Sequence, residues 1–154
     1  MSDKRKAYDE LLTQLAALVE GEDEEMSVLA NVSAALKERF GWFWVGFYLY
    51  RRGELRLGPF QGPVACMHIG LGRGVCGTAF DRRATIVVDD VEQFPGHIAC
   101  SILSRSEIVV PVFGAAGDPV GVLDIDSVEL ATFDDADREG LERVCALLSR
   151  TIYS

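Results

Sequence analysis

Cations are in short supply in this sequence. Fifteen Lys and Arg stand against 24 Asp and Glu, for a formal net charge of −9. A nucleic-acid surface needs Lys and Arg to displace counterions, so this balance argues against such a partner. It leaves small ligands and proteins open. No apolar run is long enough to span a bilayer, which argues against a membrane protein. The opening MSDKRKAYDE lacks the apolar stretch of a signal peptide. Both absences point to the cytoplasm, where thiols stay reduced and structural disulfides are not expected. Pro/Ser-rich linkers, low-complexity tracts and internal repeats are also missing. The 154 residues, 49% of them hydrophobic, are therefore expected to form one domain over 1–154 with one core.

What the chain does have is concentrated between residues 62 and 107. Three of the four cysteines (Cys66, Cys76, Cys100) and both histidines (His68, His97) fall there, with several glycines. Glycine lets the backbone turn sharply and come close to a ligand. Sulfur and imidazole at this density are unusual for a plain packing segment, so the rest of the chain reads as its scaffold.

The scaffold follows from periodicity. Tyr8, Leu11, Leu12, Leu15 and Leu18 make an apolar stripe on a helix over 4–19, and Met26, Leu29, Val32, Leu36 and Phe40 make a second, closed by Gly41. Residues 42–50, WFWVGFYLY, are aromatic and read as a strand. Alternation puts Trp42, Trp44, Gly46, Tyr48 and Tyr50 on one face and Phe43, Val45, Phe47 and Leu49 on the other. A hairpin turn at 51–54 leads to a strand over 55–61, and a short strand is expected over 64–69, where Cys66 and His68 would share a face. A glycine-rich loop then opens a short helix at 75–80. Cys76 sits near its N-terminus with Arg73 beside it, features that lower a thiol's pKa. Further strands are predicted over 85–89, 107–113 and 120–126, and a short helical segment over 97–100. Pro111 marks its strand as an edge or a bulge. Asp124 and Asp126 share a strand face about 7 Å apart, so something should compensate their repulsion, and an ammonium group would do so. Thr132 to Asp135 fits a capping box ahead of a helix carrying Asp137, Leu141, Val144, Leu148 and Ile152, with Cys145 packed beside that stripe. Strand pairs joined by tight turns favour an α+β fold, an antiparallel sheet flanked by N- and C-terminal helices.

Four chemistries suit the central stretch. Gly72-Arg-Gly74-Val-Cys-Gly77 matches a dinucleotide fingerprint as a string, but the following helix is too short for a roomy βαβ unit. Cys66, His68, His97 and Cys100 form a zinc-like ligand set with Cys76 to spare, although C-x-H on a strand is not a usual chelating pair. Alternatively, three gathered cysteines pass an oxidising equivalent by attack, resolution and exchange. In that case Glu107, Asp124 and Asp126 bind an amine and supply a proton, and Trp44 and Tyr48 wall a small apolar or thioether end. The last reading is a regulatory module whose cysteines merely lie nearby. Spacing leaves these last two level.

The segments LGPFQGPVACMHIGLGRGVCGTA, FPGHIACSILSRSEIVVPVF and GVLDIDS resemble the free methionine-(R)-sulfoxide reductases, a catalytic branch of the GAF-domain fold. The likeness runs from about Trp42 to the C-terminus. It implies a GAF-like α+β fold and reduction of free methionine (R)-sulfoxide without metal or organic cofactor. Cys100 matches the attacking cysteine, Cys66 its resolving partner and Cys76 an auxiliary one, although the helix position of Cys76 also suits an attacking thiolate. Glu107, Asp124 and Asp126 match the acids that receive substrate, and Trp44 and Tyr48 its aromatic wall. His68 matches no assigned role. The resemblance further implies a Cys66–Cys100 disulfide recycled by a thioredoxin-like dithiol, and a homodimer. The rival is a non-catalytic GAF sensor for a small ligand such as a cyclic nucleotide, against which the three-cysteine set counts.

Overall fold

The computed structural model describes residues 3–98 and 100–154. Helix α1 (Asp3–Val19) buries Tyr8, Leu11, Leu15 and Val19, and helix α2 (Glu25–Phe40) buries Val28, Leu29, Val32 and Leu36. The two stripes are shifted from the predicted ones only at their rims, where Leu18 and Met26 face outward. Gly41 ends α2 in the left-handed conformation, φ 70°, its N–H donating to the Lys37 carbonyl.

Strand β1 (Trp44–Arg51) turns through Arg52 and Gly53, both at positive φ, into β2 (Glu54–Gln61). Two consecutive left-handed residues are the geometry that a tight, right-twisted hairpin demands. Then come β3 (His68–Ile69), α3 (Gly74–Arg82), β4 (Ile86–Val88), β5 (Ser106–Phe113), β6 (Pro119–Ser127) and α4 (Asp135–Thr151). The six strands form one sheet in the order β3-β2-β1-β6-β5-β4, antiparallel at every junction.

The sheet separates two apolar layers. On one side α2 and α4 pack on the layer of Val45, Phe47, Leu49, Ile108, Val110, Leu123 and Ile125, and α1 packs on those two helices. On the other, α3 packs on Trp44, Tyr48, Val109 and Val122. The α+β layout with flanking terminal helices is as the sequence predicted. Helix α3 follows one edge strand and precedes the opposite one, so it crosses the second face of the sheet. That face carries the central stretch.

Several local expectations are corrected. Trp42 lies outside β1 and joins the helix-covered layer, stacked on Phe40 at 4.4 Å, because strand alternation holds only within the ladder. The strand predicted over 64–69 shrinks to β3. The backbone before it is occupied by side chains instead: the Trp44 indole N–H donates to the Pro63 carbonyl at 3.0 Å, and the Tyr48 hydroxyl to the Cys66 carbonyl at 2.8 Å. No helix forms at 97–100, where His97 and Ile98 are irregular, Cys100 lies in a bend, and Ala99 lies outside the described residues. The capping box of α4 uses Asp134 and Asp137 rather than Thr132 and Asp135, two residues further on. No parallel βαβ unit exists among the described residues, which removes the dinucleotide reading. The glycines of that string serve packing: a Cβ on Gly77 would lie 2.5 Å from the Gly70 carbonyl oxygen. Pro111 faces Val122 of β6 beyond the last β4 partner, Val109, so its missing N–H faces a local edge as predicted.

Candidate active site

A cleft opens on the α3 side of the sheet, lined by Trp44, Tyr48, Cys76, Glu107, Asp124 and Asp126 together with Cys100, His97 and Arg73. Its floor is strand alternation at work. Asp124 and Asp126 are two apart on β6, and Glu107 pairs with Asp126 across the β5–β6 ladder. All three carboxyls point away from the helix-covered core into one place. Trp44 pairs with Asp126, and Tyr48 follows two pairs along the same face, so the aromatic wall stands beside the acidic floor. The two rings lie 6.0 Å apart between centroids. Gly46 between them makes room, since a Cβ there would meet Trp44 at 2.7 Å and Phe60 at 2.3 Å.

The floor is electrostatically unfinished. Glu107 and Asp124 are buried, and among the described residues no Lys or Arg forms an ion pair with any of the three acids. The Asp124 Oδ1 atom is buried without a hydrogen-bond partner. Burial, and for Glu107 and Asp126 the neighbouring carboxylates, push all three carboxyls above their ordinary range. The three carboxyls crowd one another, and each disfavours ionisation of its neighbours. His97 Nε2 comes within 3.7 Å of Glu107 Oε1, too far for a hydrogen bond, and burial lowers its pKa. A neutral imidazole leaves the acids without a counterion.

Cys76 departs from expectation. Its place in the first turn of α3, with Arg73 at the N-cap, predicts a thiolate. In the structure its thiol is buried beside Asp124, and burial followed by Asp124, Glu107 and Asp126 pushes its pKa well above normal. Negative neighbours on β6 and β5 outweigh the helix terminus and an exposed arginine.

Cys66 and Cys100 form a disulfide across 34 residues, with Cα atoms 5.5 Å apart. It ties the 62–67 loop to the irregular segment before β5 at the mouth of the cleft. Cys76 and Cys145 are free and buried. The zinc-like set read from sequence is not assembled. Two of its sulfurs are bonded to each other, and His68 sits out on β3 paired with Glu54 of β2. Sequence reasoning missed two things. Trp44 and Tyr48 anchor the loop carrying Cys66 as well as walling the cleft, and His97 leans over Glu107. Each contact spans segments far apart in the chain, so no local pattern announces it.

An antiparallel sheet of this order, helix layer on one face and ligand cleft on the other, is accompanied by a direct family match. Residues 22–152 match the model of the GAF domain. The chain belongs to the GAF domain family. Within that family it is 44% identical over 151 residues to the free methionine-R-sulfoxide reductase of Escherichia coli, covering 97% of this chain and 91% of that protein. It is 53% identical over 146 residues to GAF domain-containing protein A of Dictyostelium discoideum, covering 94% and 92% of the two chains. The free methionine-R-sulfoxide reductase of Neisseria meningitidis, solved with its substrate, superposes at a TM-score of 0.95 with 51% identity, covering 99% of this chain and 92% of that one. The resemblance drawn from the motifs is therefore borne out.

Proposed function

We propose that this protein reduces free L-methionine (R)-sulfoxide to L-methionine. The observation that carries the reading is a disulfide at the mouth of a cleft whose floor is three acids, Glu107 and Asp124 buried and Asp126 half-buried, without a cation. A free α-ammonium supplies the missing positive charge, and a methionine inside a polypeptide has none to offer. Arg73, at the cleft wall, is placed to meet the free carboxylate. Trp44 and Tyr48 wall the thioether end.

The chemistry balances as follows. The Cys100 thiolate attacks the sulfoxide sulfur while a carboxylic acid of the trio protonates the oxygen. Burial and like charges raise the pKa of these acids, which favours the protonated form that a general acid needs. Methionine leaves, and Cys100 carries the oxygen as a sulfenic acid. The Cys66 thiol condenses with it, water departs, and the disulfide of the present structure results. An external dithiol then restores both thiols by exchange. Cys76 takes no part in the attack, because its buried thiol stays protonated beside Asp124; there it serves to hold Asp124.

The reductant we favour is a thioredoxin-like protein in the cytoplasm. Around the disulfide, Val64 is 90% exposed and Ile102 93%, with Met67 and Leu103 also open to solvent. This apolar rim suits a protein surface that brings a dithiol to the sulfurs. Among the described residues no helix is long and apolar enough to cross a membrane. A homodimer remains part of the proposal on resemblance alone.

The deciding experiment offers each epimer of free methionine sulfoxide with a thiol reductant. The R epimer should be consumed and the S epimer spared. Cys100→Ser should abolish turnover with an unchanged circular dichroism spectrum. Consumption of neither epimer, or sustained turnover by Cys100→Ser, would refute the assignment and favour a ligand-binding GAF module.

A further inference from the structure

Cys76, Glu107 and Asp124 place one thiol sulfur and two carboxylate oxygens within 4.8 Å of one another, all three residues buried. His97 Nε2 stands 3.7 Å from Glu107 Oε1. Ligands bound to zinc at about 2.0–2.3 Å in a tetrahedron sit roughly 3.3–3.8 Å from each other, so the Cys76, Glu107 and Asp124 donor atoms would draw in by roughly 1–1.5 Å at the widest pair, with His97 joining from the Glu107 side. A second, independent observation points the same way. Asp124 lines the cleft, and its buried Oδ1 has no hydrogen-bond partner, an acceptor waiting for a positive ligand. The donor types, thiolate, carboxylate and imidazole, are those zinc accepts, whereas a thiolate disfavours Mg²⁺ or Ca²⁺.

We infer that this pocket binds a zinc ion through Cys76, Glu107, Asp124 and His97, and that zinc excludes the substrate from the same acids. The ligand set differs from the one the spacing suggested: it keeps His97 and the spare Cys76 and uses none of Cys66, His68 and Cys100. The ion brings two positive charges where an ammonium brings one, so it satisfies the unpaired floor more fully. Binding geometry here stands without the reductase reading; only the competition with amino acid depends on it.

The test separates the two. The protein is first oxidised with diamide until two free thiols per chain remain, Cys76 and Cys145, so that Cys66 and Cys100 are unable to bind metal. Zinc chloride is then titrated against a chromophoric chelator. One ion per chain should bind, and Cys76→Ser and Asp124→Asn should each weaken it at least about tenfold. His68→Ala, which removes the exposed imidazole beside Glu54, should change nothing. Far-UV circular dichroism verifies that each variant is folded, and Asp124→Asn serves alone should Cys76→Ser fail. Free methionine added last should raise the zinc concentration needed for half-occupancy. No competitive binding, binding unchanged by both site variants, or loss in His68→Ala would overturn the inference. Zinc binding that methionine leaves untouched keeps the metal site but sinks the competition.

Discussion

Asp137 and Asp124 are both buried, 0% and 6% exposed, yet the protein surrounds them in opposite ways. Asp137 is satisfied on every side. Lys4 Nζ lies 2.7 Å from one oxygen, the Tyr8 hydroxyl donates to the other at 2.7 Å, and the Asp134 N–H completes the capping box at 3.0 Å. Burial raises the Tyr8 hydroxyl far above its ordinary pKa, so it remains a donor. Asp124 has two acids and a thiol for neighbours and an oxygen with no partner. The first acid ties α1 to α4 beneath a helix cap. The second is left incomplete, and in the proposed reading that gap receives the substrate ammonium. Stability and function are kept on opposite faces of one sheet.

The largest expected effect falls on the satisfied acid. Asp137→Ala strips the buried Tyr8 hydroxyl of its acceptor and breaks the helix cap, for a loss of about 2–4 kcal/mol. In a chain of 154 residues that lowers Tm by roughly 4–16 °C. Activity per folded molecule should stay level. A calorimetric Tm within a degree or two of the parent would mean the network is ornamental.

Asp124→Asn should behave in reverse. An amide keeps the shape but removes the charge that receives the ammonium, so kcat/KM should fall about 100-fold, close to 2.7 kcal/mol. Relieved of like charges, the folded state should gain up to about 1 kcal/mol. If the variant proves both less stable and fully active, the contrast between the two acids is wrong.

Which parts of this contrast were legible follows from the range of each interaction. The pairing of Asp124 and Asp126 on one face is a period-two pattern, readable from six consecutive residues, and the hairpin at Arg52-Gly53 is readable from two. The helices declared themselves through their apolar stripes. The state of the Cys76 thiol was not legible, because the local signals of helix N-terminus and Arg73 point toward a thiolate. The deciding neighbours are Asp124 and Glu107, brought in by β6 and β5. The 64–69 stretch was misread for a similar reason. The Cys66 carbonyl is taken by Tyr48, and the Pro63 carbonyl just ahead of the stretch by Trp44, 18 and 19 residues away. The meeting of Cys66 and Cys100 came from resemblance, since spacing alone left a redox set level with a regulatory module whose cysteines merely lie nearby.

Acidity offers a subtler probe. Glu107, Asp124 and Asp126 have folded-state pKa values above their ordinary 4.5 and 3.8, so the folded protein holds protons that the unfolded chain releases. Their contribution is fully present below about pH 4 and is lost as pH climbs through the raised folded values. Other carboxyls act in the opposite sense, Asp134 among them, its pKa held low despite some desolvation by the Asp137 and Ala136 N–H groups and Lys4. The useful quantity is therefore a difference. Between pH 4 and 8, Tm of the ligand-free parent should decline relative to a Glu107→Gln, Asp124→Asn double variant. Parallel curves would show that the acids ionise freely, and the electrostatic argument for the cleft would fail.

The two free cysteines repeat the comparison on a smaller scale. Cys145 is 3% exposed on α4, in the helix-covered layer with Val144 and Leu148, and burial pushes its thiol up without any site acid nearby. It has no route to the cleft, which lies through the sheet. Cys145→Ala should cost about 1 kcal/mol for one buried sulfur and leave kcat/KM within about twofold. A larger loss of activity, at a Tm shift this small, would mean that packing behind β5 positions Glu107, and the division of the sheet into a stabilising face and a reactive face would have to be redrawn.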